Sequence, residues 1–341
     1  MKKTLSLVIF ILLCSYSFAQ NNISTVNQTG DNNNSSVSQT GNSNTSTVDQ
    51  KQNENNVVVT QTGSGNISEQ TQEGWAIWIL NGGGNHTAEI VQDGAGNYAK
   101  QNQKKTGNSA YINQDGSGNT AEQKQDALFG DSGYNEAFIE QVGSSNDAFQ
   151  NQFGLKNLST SVQNGTGNIS KQEQLGDFNE STSEQMGESN NTYIGQLGIG
   201  NFAYSKVEGA GSSNNDIDII QVGYSSATVR VEGENNKAEI NQLGLTNIAG
   251  SNPFGLPYGI EQIGDRNTAI VNQLGLYNQS FILQDGNDNQ SYVNQLGLDS
   301  YSGLHQTGDN NLANVLQGGS SQTSYINQVG NNNFANVVQG N

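Results

Sequence analysis

The sequence predicts an all-β solenoid, in which strand–turn–strand coils of about 22 residues stack into two facing parallel sheets. Three observations carry this expectation. Gln recurs at steps of eleven, as in Gln262, Gln273, Gln284 and Gln295, with Gly264, Gly275, Gly286 and Gly297 two positions later. Asn267, Asn278 and Asn289 follow three positions after the first three of these glycines. Between each Asn and the next Gln the chain alternates. A small residue (Ala269, Ser280, Ser291) and then a β-branched one (Val271, Ile282, Val293) take every second position. A period of two puts these residues on one face of a strand. Gly-x-x-Asn marks a tight turn, because Gly and Asn tolerate positive φ. The third observation is a longer period. Two residues before the Gln position the chain reads Gln70, Ile90, Gln101, Ile112, Gln123, Ile139, Gln150. Such alternation arises when each sheet receives every second strand, so that one sheet carries Ile and the facing sheet Gln.

Composition agrees with a repeat rather than with ordinary domains. Of 341 residues 32% are hydrophobic, Gly not counted, and only 13% charged, against about 45–50% apolar with Gly included and about 25% charged in a typical globular domain. A polar, Gly-rich chain is also what disorder looks like. Keeping Gln, Gly and Asn in register from end to end argues against it. The formal charge of −18 disfavours nucleic acid, which needs a basic face, and keeps copies mutually repelling.

The elements follow in order. Residues 1–19 read as a secretory signal peptide: Lys2 and Lys3, an apolar run from Leu5 to Leu13, and Ser17-Phe18-Ala19 before cleavage at Gln20. The run is too short to cross a membrane. Leu13 stands where lipidation of Cys14 would want a small residue. Cleavage removes Cys14, the only cysteine, so no disulfide staples the fold, and the charge becomes −20 with the two lysines gone. Residues 20–341 form one repeat domain without membrane insertion. Asn22, Ser24, Val26 and Gln28 make the first strand, and Gln39, Gln50, Gln61 and Gln72 keep the step. Insertions are expected near 73–84, 126–134, 208–215 and 249–259. In the first of these, Ala76, Trp78, Leu80 and Gly82 keep the inward frame and read as a strand after a shortened turn. Val207 replaces a Gln, and the unit ending at Val231 is one residue short. The interruption from Ala249 to Tyr258 holds both prolines, Pro253 and Pro257, and must loop off the stack. Gln262 to Gln339 closes the chain in step. The expectation is about 28 strands in about 14 coils, a rod of roughly 65–70 Å at about 4.8 Å per coil.

Stacking places like residues over like. Inward Gln and Asn then form amide ladders of the cross-β kind, which spares each buried amide a penalty of about 1–3 kcal/mol. Outside, three residues before the Gln position, stand Tyr111, Phe138, Phe149, Tyr193, Tyr204, Phe281, Tyr292 and Tyr325. These either stack on same-face neighbours or form an exposed aromatic stripe for bundling or for a ligand.

Nothing points to catalysis, a metal or a cofactor. His86 and His305 are isolated, as surface or turn residues, and no thiol remains after cleavage. Gly82-Gly83-Gly84 lacks the Lys-Ser/Thr and the helix of a phosphate loop. Asp216, Asp218 and Glu232 alternate with apolar residues, as an outward strand face does. The eleven-residue step is not the nine-residue Gly/Asp repeat of calcium-binding rolls, and narrow coils offer no carboxylate-lined groove for glycan cleavage.

Gln262-Ile-Gly264-Asp-Arg-Asn267-Thr-Ala269-Ile-Val-Asn-Gln273, repeated through Gln306, Gly308, Asn311, Ala313 and Gln317, resembles the repeat of curlin, the subunit of bacterial curli fibres. The resemblance covers nearly all of 20–341. It implies a secreted subunit that polymerises end to end as a functional amyloid of the biofilm matrix, and no enzyme. It also implies partners: the chain itself, a nucleator subunit, an outer-membrane secretion pore and periplasmic chaperones. The chain departs from the curlin pattern in three ways. Curlins are usually much shorter, their strands often open with Ser rather than Asn, and they carry a targeting segment after the signal peptide. The polymerising edges would be the first strand, with Asn22, Val26 and Gln28, and the last, with Val337 and Gln339, since both are as regular as any interior unit. The alternative is a monomeric extracellular solenoid adhesin that binds glycan or a surface through its aromatic stripe.

Overall fold

The computed structural model describes residues 21–74, 76–77, 80–81, 84–127, 133–250 and 259–340. Over these residues the chain is an all-β solenoid, without helix, whose strands pair in parallel between successive coils. Strands fall alternately on two faces. Face A carries fourteen rungs, running from Ile23–Thr29 through Thr45–Lys51 and Ile67–Glu73 to Phe334–Gly340. Face B carries thirteen, from Asn34–Asn42 and Asn56–Ser64 to Thr323–Val329. Fourteen rungs at about 4.8 Å span roughly 62 Å. The faces join into one sheet because Asp216–Glu234 and Lys237–Ala249 run round a turn and pair on both sides.

Register is kept residue for residue along the strands, with shifts only around Glu208–Ser213 and Tyr224–Ser226. Ser109–Ser117 pairs with Glu136–Ser144 so that Ala110 meets Ala137, Ile112 meets Ile139, Gln114 meets Gln141 and Gly116 meets Gly143. Along each strand every second side chain is buried, as the period of two requires. The core is therefore a set of columns: Asn, Ala or Ser, a third residue that is Val, Ile, Gln or Ser, and Gln. The third column separates by face as the 22-residue period implies. Gln70, Gln101, Gln123, Gln150 and Gln172 stack on face A, while Val59, Ile90, Ile112 and Ile139 stack on face B.

The turns differ from expectation in one respect. Positive φ falls on the Gly and on the residue just before the Asn, not on the Asn itself. Examples are Gly41 and Ser43, Gly264 and Arg266, and Gly275 and Tyr277. The Asn is buried, and its side chain serves as a hydrogen-bonding plug. Glycine is required at the first position for a second reason. A Cβ on Gly143 would lie 2.0 Å from the carbonyl oxygen of Gly165 in the next coil.

The expected strand through Ala76, Trp78, Leu80 and Gly82 does not join the stack. Ala76–Ile77 and Leu80–Asn81 pair antiparallel with each other, and Asn56–Ser64 pairs directly with Thr87–Ala95. Trp78 and Gly82 lie outside the described residues. The columns explain the exclusion. Another rung here would move every later strand to the opposite face and set Ile90 against Gln70. With the segment left out, Gln70 meets Gln101 and Val59 meets Ile90. Among the described residues there are 28 strands, then, but two are this hairpin, and Asp216–Glu234 holds two repeat units.

The interruption after Ala249 leaves from mid-strand. Ile248 and Ala249 pair with Gln279 and Ser280, and Ile260 resumes opposite Ile282. Gly250 and Gly259 thus flank the position that Phe281 holds in the next coil. Pro253 and Pro257 lie outside the described residues, as do the expected signal peptide with Cys14 and residues 128–132 of the second insertion. Among the described residues no helix is long and apolar enough to cross a membrane.

Candidate functional site

The feature that sets this molecule apart is a hydrogen-bond ladder through its core. On face A every ladder Gln, from Gln28 through Gln339, is joined to the next by an Nε2 that donates to the following Oε1, at 2.7–3.0 Å. The second amide proton crosses the core to a backbone carbonyl, as from Gln273 to Ile248 at 3.1 Å and from Gln295 to Gln279 at 2.9 Å. Both protons of each buried amide are thereby used. The direction never reverses: the donor always points to the coil that follows.

Face B carries the same ladder with one gap. It runs from Gln39 to Gln185, is broken at Val207 and Val231, and resumes from Gln262 through Gln284 and Gln306 to Gln328. At the break Gln185 turns to the Thr192 hydroxyl at 3.1 Å, and Gln262 Oε1 is left without a partner. Outside the break Arg230 makes ion pairs with Glu208, Glu232 and Glu261. Lys206 and Arg230 hold the Glu208 carboxyl below its usual range.

The Asn column is equally regular. Asn267, Asn278 and Asn289 donate Nδ2 to the carbonyls of Gly286, Gly297 and Gly308, at 2.8, 3.0 and 2.7 Å. Their Oδ1 atoms accept the N–H groups of Asn289, Ser300 and Asn311 in the following coil. Gly264, Gly275 and Gly286 lie where the next coil's carbonyl occupies the space of a Cβ. The ladder residues singled out from sequence therefore stand in continuous columns, Gln273 and Gln295 on face A and Gln262 and Gln284 on face B.

Among the described residues the columns end at strands paired on one side only. Asn22, Val26 and Gln28 belong to the outermost described coil, whose strand Ile23–Thr29 pairs only with Thr45–Lys51. Val337 and Gln339 lie in Phe334–Gly340, which pairs only with Leu312–Gly318. The residue after each turn Asn donates its N–H to the coil that follows: Ile23 to Asn44, Thr45 to Asn66, Leu312 to Asn333. Phe334 holds this position in the last rung, and strand alternation aims the N–H groups of 336 and 338 the same way.

The outward aromatics do not form one stripe. Tyr111, Phe138, Tyr204, Phe281 and Tyr325 stand on face B, and Phe149, Tyr193 and Tyr292 on face A. Seven are half-buried; Tyr325 is the exposed one. Several pack on neighbouring coils. Tyr111 and Phe138 stack at 5.0 Å with planes 7° apart, and Lys171 lies between the rings of Phe149 and Tyr193. Burial and the neighbouring Glu173 push the Tyr193 phenol up to about 12.

His86 sits in a turn but fully buried, in the Asn column, with Nδ1 accepting the Asn108 N–H at 3.2 Å. His305 lies on the outer face beside the Thr307 hydroxyl. Among the described residues no three His, Cys, Asp or Glu side chains gather to hold a metal ion. Sequence reading missed the Arg230 cluster and a set of outward apolar residues described below. Reading the chain at a step of 22 rather than eleven would have shown both.

No curated protein matches the chain significantly. The curlin-associated repeat family matches residues 20–51, 259–297 and 308–340. These matches reach from the first coils to the last, and the coils between them continue the same Gln, Gly and Asn columns. The chain therefore carries curlin-associated repeats near both ends, and that repeat family is structural and non-enzymatic.

Proposed function

We propose that this protein is a secreted structural subunit that adds copies of itself end to end into curli-like fibres of an extracellular matrix, there to mediate adhesion and aggregation. The observation that carries the reading is the one-way Gln ladder of face A. Its polarity leaves an Oε1 acceptor at the Gln28 end and an Nε2 donor at the Gln339 end. Open strand edges lie beside both. A second copy set on either end extends backbone and amide ladders in the same direction, with no new kind of contact. Like residues in register at every step are the arrangement of cross-β assemblies. A nucleator subunit, a secretion pore and periplasmic chaperones complete the proposal as partners. An adhesin acting through one aromatic stripe has less support, since those rings are divided between two faces.

The test is to remove ladder donors that only a following copy would use. Phe334→Pro with Val338→Pro deletes two N–H groups that bond nothing among the described residues. Wild-type chain lacking the leader is expected to give long fibres that grow from added seeds. The variant should keep its β-sheet circular dichroism but elongate from one end only. Unchanged two-ended growth of the variant, or wild-type rods that stay about 62 Å long, would overturn the reading.

A further inference from the structure

On face A the residue directly after the ladder Gln changes character along the rod. The early coils carry Lys51, Glu73, Lys104 and Asp126 there. Later coils stack Leu175, Leu197, Val222, Leu243, Leu274 and Leu296 in register. A second column, Tyr224, Leu245, Leu276 and Leu298, runs beside the first two residues further along, with Ile199 one coil earlier. Most of these side chains are about half exposed: 48% for Leu175, 50% for Leu243, 60% for Ile199. At one end the missing side chain of Gly195 deepens the surface into a groove lined by Phe153, Leu175, Tyr193, Leu197 and Ile220. On face B the same position is mixed: Asp93, Asp115 and Asp285 stand among Val142, Met186, Ile263 and Val329, and Glu208 and Glu232 are paired with Arg230.

We propose that this apolar corner is a lateral docking surface for a second copy of the chain, rod beside rod. Two features select that occupant. The corner exposes on the order of 1,000 Å² of apolar surface, beyond the few hundred that a soluble monomer usually leaves open and near the ~800 Å² per partner of a stable interface. Its side chains repeat once per coil, at about 4.8 Å, and only another solenoid presents knobs at that pitch over six coils. This contact is separate from end-to-end growth, because it lies wholly within one chain's length.

The test copies a triplet that the fold already carries. Lys51, Glu73 and Lys104 stack at this position in three successive rungs of face A, with Lys51 Nζ 2.6 Å from Glu73. Leu243→Lys with Leu274→Glu and Leu296→Lys places the same pattern on the corner without stacking like charges. A control, Asp285→Lys with Thr307→Ser, alters the opposite side. Freshly purified chain is followed by sedimentation, and its fibre widths are measured by electron microscopy. Wild type and control should associate side by side, giving widths of two rods or more. The triple variant should pair about a hundredfold more weakly or less, with unchanged circular dichroism. Single-rod mass for the wild type at all concentrations, or equal pairing by the triple variant, would overturn the proposal. So would wild-type flotation with phosphatidylcholine vesicles that the triple variant loses while self-pairing persists, since that assigns the corner to a lipid surface.

Discussion

At the scale of a residue, His86 is the position where the repeat departs furthest from its rule. The columns before and after it hold Asn55 and Asn108, whose amides both donate and accept. An imidazole can accept the Asn108 N–H, but its Nε2 is buried with no partner. Burial pushes its pKa down to about 4, with the carbonyls of Glu73 and Lys105 offsetting only part of the effect. The unfolded chain takes up the proton near pH 6.5, while the folded one resists until about 4. Between these values the unfolded state binds more protons, so stability falls as the pH drops through the window. The loss is about 3 kcal/mol once the pH reaches 4. His86→Asn should return the column to its rule and remove that slope. Denaturant midpoints at pH 7 and pH 4 check this. Wild type should lose more on acidification than the variant, and equal losses would exclude His86 as the cause.

At the scale of an element, the face B rungs at Val207 and Val231 show what a ladder contributes. Val fills the space but leaves Gln262 Oε1 without a donor. Val231→Gln alone supplies that donor but creates a new unpaired acceptor facing Val207. Val207→Gln alone pairs with Gln185 and leaves its own donor facing Val231. Together the two close the ladder from Gln185 to Gln262. A double-mutant cycle in denaturant should therefore give a favourable coupling of about 1–3 kcal/mol. Strict additivity would mean that the amides act independently.

The ladder also explains which elements could be read from sequence. Gln, Gly and Asn were legible because each column repeats a chemical demand, amide over amide and no Cβ under a carbonyl. The Trp75–Leu80 stretch misled because its local alternation is that of any strand. Its exclusion is decided by whether Gln70 later meets Gln101, a relation 31 residues long. The positive-φ residue before each Asn was hidden because its side chain points outward and is unconstrained, so that Ser43, Arg266 and Tyr277 all serve. The aromatics looked like one stripe because consecutive strands were read together although they lie on opposite faces. The leucine corner went unseen for the same reason.

At the scale of the whole molecule, the backbone ladder is uniform but the core is not. Buried aliphatic residues form three clusters, the second ending at Ala148 and the third beginning at Ile194. Between them the core is Ser159, Ser161, Ser170, Gln172, Ser181, Ser183 and Thr192, and the hydroxyls of Ser161, Ser170 and Ser183 have no partner. Serine where Ile139 stands one rung earlier gives up about 2 kcal/mol of apolar burial, and an unpaired hydroxyl lowers stability further. In a stack where each coil touches only its neighbours, opening begins at the weakest contact. The strands Leu158–Thr166, Ile169–Asp177 and Glu180–Glu188 should therefore exchange their amide hydrogens sooner than Ser109–Ser117 or Thr268–Leu276 on either side. Ser161→Val with Ser183→Val carries the Ile112 and Ile139 column two rungs further, up to Ser205, and should slow that exchange toward the flanking rate. If the belt is as protected as its flanks in the unmodified chain, hydrogen bonding rather than apolar burial sets the strength of this solenoid. The serine belt would then be as firm a joint as any other rung.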